Sequence, residues 1–179
     1  MLAAAVRDYE AAYDTASILD AAAPPARLVE LAARAEVLAA SDMPRAIASA
    51  RRIASARDAE IVPLLREIQL EPPGWVPLRL PIAAWDAMSH LQWSYRLLRS
   101  VDHAFVRRAE EAATWLVSRA DGGASVLAVT HGGIRRIIDW CLRRRGWRPL
   151  PGKRGYEHWG CWSYRDGAAG QTRAGDPRP

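Results

Sequence analysis

Two short apolar runs in this chain each break into polar or glycine residues and then open a helical pattern. The first is Val37-Leu38-Ala39-Ala40, followed by Ser41-Asp42-Met43-Pro44-Arg45-Ala46. The second is Val126-Leu127-Ala128-Val129, followed by Thr130-His131-Gly132-Gly133. In an open α/β sheet, ligands sit at such carboxyl ends of strands. The helix that starts there offers free N–H groups and the positive end of its dipole to an anion. Arg presents a planar fork of donors that matches a phosphate. His donates from either ring nitrogen and titrates near neutrality. Arg45 on one turn and His131 on the other, with Ser41 close by, therefore suit a phosphoryl group. Glycines after His131 let backbone approach a ligand. Arg45 and His131 are expected to face one cavity, close enough to share one phosphate.

The positioning elements follow from periodicity. Residues 2–14 carry Val6, Tyr9 and Tyr13 at helical spacing, and 26–35 put Leu28, Leu31 and Ala35 on one face. Residues 37–40 read as a short buried strand and 42–57 as a helix, with Ser41 or Asp42 as N-cap and Pro44 in the first turn. A further strand is expected within 61–70, on a poor local signal. Four prolines, from Pro72 to Pro81, mark an irregular stretch. Residues 82–96 read as a helix with Trp85, Met88, Leu91 or Gln92, and Tyr95 one turn apart. Residues 101–120 form an amphipathic helix, with Phe105, Ala109, Ala112, Ala113 and Leu116 on its face, ended by Asp121-Gly122-Gly123. Residues 125–129 make the clearest strand, 134–145 the helix after it, and 159–164 a last strand. The tail, 167–179, is expected to be disordered. One domain, 1–166, is expected.

Composition sets bounds. A chain of 179 residues is long enough to bury a real core. Eight tryptophans against one phenylalanine suggest indole rings in that core. The net charge of +5 is carried almost wholly by arginine, Lys153 being the one lysine; it permits anionic ligands without naming one. The basic group from Arg143 to Arg154 lies at and beyond a helix C-terminus, where cations complement the dipole. Nothing resembles a nucleic-acid motif. Cys141 and Cys161 fit neither a disulfide framework nor a metal site, and read as buried side chains in a reducing compartment. No apolar run is long enough to span a membrane, and no signal-peptide pattern opens the chain, so the cytoplasm is expected. His90, His103 and His158 have no setting that suggests chemistry.

The pattern S-D-x-x-R-A at 41–46 with V-x-H-G-G at 129–133 resembles the histidine phosphatase superfamily, also called phosphoglycerate-mutase-like. The likeness runs from about Tyr13 to Arg165 and includes Leu65-Arg66-Glu67, Trp85 and Trp93. The resemblance implies an α/β fold of three layers, αβα, around a mostly parallel central sheet. It implies phosphomonoester hydrolysis, or phosphoryl transfer on a sugar acid, with no metal or other cofactor. In that family a His in an Arg-His-Gly turn attacks phosphorus, two arginines and a second His hold the oxygens, and a carboxylate protonates the leaving oxygen. By position Arg45 is a clamping arginine, His131 the second histidine, and Glu67 the proton donor on the rim, with Glu71 close by in sequence. The partner would be phosphate or a phosphorylated small molecule.

No Arg-His-Gly occurs in the chain, whose first histidine is His90. Val6-Arg7-Asp8-Tyr9-Glu10 echoes the turn but fits better as the helix after it. The chain is thus read as lacking the first strand and its nucleophile, through a misassigned start, a truncation or a true pseudoenzyme. It should turn over little generic phosphomonoester. The alternative function is a non-catalytic domain that binds a phosphorylated metabolite or protein.

Overall fold

A computed structural model describes residues 3–18, 23–54, 57–69, 79–99, 104–155 and 157–168. Glu71, His103 and the expected tail from 169 onward lie outside the described residues.

The central element is β1 (Val37–Ala40), flanked in parallel by β3 (Val126–Val129) and by β2 (Glu60–Ile61). Its register against β3 pairs Leu38 with Leu127 and Ala39 with Ala128. Because strand side chains alternate between faces, these pairs point to opposite sides of the sheet. Leu38 and Leu127 pack with Leu28 and Ala32 of α2 (Ala26–Arg34) and Ile53 of α3 (Pro44–Ile53). Ala39 and Ala128 pack with Ala109, Ala112 and Ala113 of α5 (Ala104–Arg119) and Ile134, Ile137 and Ile138 of α6 (Gly132–Arg144). Helices on both faces are the usual covering of a parallel sheet, and they explain why β1 and β3 are apolar at every position. A smaller cluster joins Val6 of α1 (Ala3–Thr15) to the fully buried Trp85 of α4 (Ile82–Arg99). A two-stranded antiparallel ladder, β4 (Arg148–Pro149) with β5 (Tyr164–Arg165), follows α6.

Several expectations are corrected. The strand sought within 61–70 is only Glu60–Ile61, both exposed, and Pro63–Leu65 turns as a short 3-10 helix. The last strand begins at Tyr164, not Trp159, because Trp159 adopts a left-handed φ of 64° that breaks extension. Met43, not Ser41 or Asp42, is the N-cap of α3; the Ser41 hydroxyl meets His131 and the Asp42 carboxylate meets Arg66. On α4, Leu91 and Tyr95 are exposed instead of continuing the Trp85 face. Tryptophans divide: Trp85 is core, whereas Trp140 lies 42% exposed beneath the Arg144 guanidinium. Cys141 is buried as expected, Cys161 only in part. Among the described residues, no helix is long and apolar enough to cross a membrane.

Candidate functional site at the carboxyl ends of β1 and β3

Ser41 and His131 end neighbouring strands, and strand pairing brings them together. The Ser41 N–H continues the ladder to the Val129 carbonyl at 2.9 Å. The Ser41 side chain is fully buried, and its Oγ lies 2.9 Å from His131 Nε2 while accepting the Met43 N–H at 3.3 Å. Alanine at position 41 would leave two buried partners unsatisfied and should lower stability by about 1–2 kcal/mol. Urea unfolding of Ser41→Ala tests this; an unchanged midpoint would mean the hydroxyl does not hold the ring.

His131 is the N-cap of α6 and half-buried. Burial pushes its pKa down to about 4; the Glu67 carboxylate pulls the other way, Arg45 adds to the depression, and Asp14 and Asp42 oppose it. The ring is therefore neutral at pH 7. Arg45 is the second residue of α3, its side chain only 13% exposed. Its Nη1 donates to the Tyr13 carbonyl at 3.0 Å, its Nη2 to Asp14 Oδ1 at 3.4 Å, and its plane lies 4.6 Å from the Tyr13 ring centre. So the C-terminal turn of α1 holds the guanidinium that would clamp a phosphate.

The Glu67 side chain turns onto the start of α6. Its Oε2 accepts the Gly133 N–H at 3.1 Å, and its Oε1 accepts those of Ile134 and Ile68, each at 2.9 Å. The carboxylate caps the otherwise open N-terminus of α6, where a negative charge is stabilised. Two further arginines hold this corner, and sequence reasoning missed both. Arg66 forms a two-pronged pair with Asp42, at 2.9 and 2.8 Å. Arg108 of α5 donates through Nη2 to the carbonyls of Arg66 and Glu67, each at 3.0 Å.

The histidines without a chemical setting and the basic group lie elsewhere. His90 faces Asp86 on α4, and the His158 ring meets Trp159 edge-on at 4.7 Å. Arg143 and Arg154 pair with Asp139, and Arg145 reaches Glu110 and Thr114. A cavity of about 300 Å³ opens beside Leu28, Leu150 and Trp159, but Ser41, Arg45, Glu67 and His131 do not line it. No cluster suited to a metal ion occurs among the described residues.

The model of the histidine phosphatase superfamily, branch 1, matches residues 14–149. The chain belongs to that superfamily. The match spans both strand-to-helix turns and Glu67, and the αβα layering is phosphoglycerate-mutase-like. No curated protein and no solved structure matches. Among histidine phosphatases the attacking histidine belongs to an Arg-His-Gly turn, and residues 1–179 contain none. The echo at Arg7-Asp8 precedes the matched region, lies within α1 and exposes Asp8 to solvent.

Proposed function

We propose that the corner between β1, β3 and α6 binds a phosphomonoester, with Arg45 and His131 holding the phosphoryl oxygens and Glu67 placed to protonate the leaving oxygen. The full reaction would be hydrolysis to an alcohol and phosphate. What supports this reading is the Ser41–His131 hydrogen bond, which ties the turn that leads to Arg45 to the turn that bears His131 at the ends of two neighbouring parallel strands in a histidine phosphatase. Phosphoryl transfer depends chiefly on charge neutralisation and positioning. A neutral His131 supplies a hydrogen bond without a charge, so neutralisation falls on Arg45.

The missing Arg-His-Gly favours a second reading, a domain that binds a phosphorylated metabolite or protein without turning it over. Either way the partner is a phosphorylated molecule. Two free cysteines suit a reducing compartment, and we assign the domain to the cytoplasm.

Calorimetric titration with inorganic phosphate tests the pocket. Arg45→Ala should weaken binding by about 30-fold or more, because a partly buried, charge-assisted fork is lost. His131→Ala should weaken it less, since only a neutral donor disappears. Turnover of p-nitrophenyl phosphate by residues 1–179 should be negligible. Undiminished binding in Arg45→Ala would end the pocket reading. Robust turnover abolished by His131→Ala would make His131 the nucleophile instead.

A further inference from the structure

The Glu67 carboxylate sits where an anionic ligand of His131 would feel it. Among the charged groups around that ring it has the largest influence on its protonation. Three backbone N–H groups hold its oxygens in place. From the other side Arg108 fixes the backbone of the same strap through the carbonyls of Arg66 and Glu67. The Arg108 Nε is buried with no partner among the described residues, and burial disfavours its charge. A cation tolerated under those conditions is held by the carbonyls it serves. Gly133 completes the arrangement. A Cβ there would lie 2.8 Å from Glu67 Oε1, so only glycine leaves the carboxylate its room.

With Arg45 and His131 as the phosphate ligands proposed above, we propose that Glu67 is an internal anion that competes with phosphate at this corner, and that Arg108 and Gly133 are the positioning residues that keep it there. Two negative groups in a poorly screened site repel each other. Phosphate then enters when the carboxylate swings away from α6. In the closed arrangement the proton donor doubles as an occupant of its own site.

Titration with inorganic phosphate at pH 7, on the protein and on Glu67→Gln, Gly133→Ala, Arg108→Ala and Arg45→Ala, tests this. Glutamine keeps an acceptor for α6 but removes the charge; alanine at 133 keeps the charge but dislodges the carboxylate. Both should bind phosphate about tenfold more tightly than the unmodified protein. Arg108→Ala should shift in the same direction, and Arg108→Lys should restore the original affinity. A purely structural role for these residues predicts weaker binding. Equal or weaker binding in both Glu67→Gln and Gly133→Ala, with Arg45→Ala still impaired, overturns the competing anion and leaves the pocket intact. Tightening in Glu67→Gln alone removes Arg108 and Gly133 from the scheme. Binding that survives Arg45→Ala, or that is absent from every variant, overturns the pocket reading and this inference with it.

Discussion

Lowering the pH from 7 to 4 should cost the fold about 3 kcal/mol through His131 alone. The ring titrates near 6.5 in an unfolded chain and at about 4 in the folded protein, where burial disfavours its cation. Between those values the unfolded state binds the proton and the folded state does not. Stability from this group is therefore complete above about pH 7, and it drains away as the pH falls through the unfolded value towards the folded one. Guanidinium unfolding at steps between pH 7 and pH 4, on the protein and on His131→Gln, isolates the effect. Other acidic groups titrate in both proteins and cancel in the difference. The two stability curves should converge or cross as the pH falls, because only the histidine protein is penalised. Curves that stay parallel would mean that His131 is solvated in the folded state.

The parts legible in the sequence were those fixed by local pattern. β1 and β3 are apolar on both faces because helices cover both faces. α5 was readable from the spacing of Ala109, Ala112 and Ala113, all fully buried. Arg45 and His131 were readable because a strand-to-helix turn places them. What was not legible depends on distant partners. Arg108 lies one turn from Phe105 and Ala112, at the margin of the apolar face, where periodicity assigns it to solvent. Its aliphatic stem instead lets it reach two carbonyls some forty positions earlier in the chain. The role of Glu67 was suggested by resemblance, but its seat on α6 depends on a contact 66 positions away that no local pattern encodes. β2 lacks alternation because both residues are exposed at a sheet edge. Met43 became the cap of α3 because the better capping side chains before it are drawn to His131 and Arg66.

A chain extended upstream of residue 1 through a strand bearing an Arg-His-Gly turn should gain both activity and stability. β3 motivates the experiment. Val126, Leu127, Ala128 and Val129 are as apolar as β1, yet all four are half-buried, and among the described residues no strand pairs with β3 on the side away from β1. Parallel strands of this composition are normally interior. An apolar strand edge of this kind invites pairing with a further strand. A strand added there would satisfy several backbone groups, each worth on the order of 1–3 kcal/mol when buried unpaired. Whole-domain stability is only about 5–15 kcal/mol, so the melting temperature should rise by a large margin. The same strand would bring a nucleophilic histidine towards Arg45 and His131. Turnover of p-nitrophenyl phosphate should then rise on the order of 10⁴-fold or more, the scale of removing or restoring a nucleophile. Substituting only the new histidine by alanine should abolish turnover but keep the gain in melting temperature, because the strand still pairs. Equal melting temperatures with and without the strand would mean that the β3 edge is already satisfied. A stable extended chain that remains inactive would favour the binding domain over the enzyme.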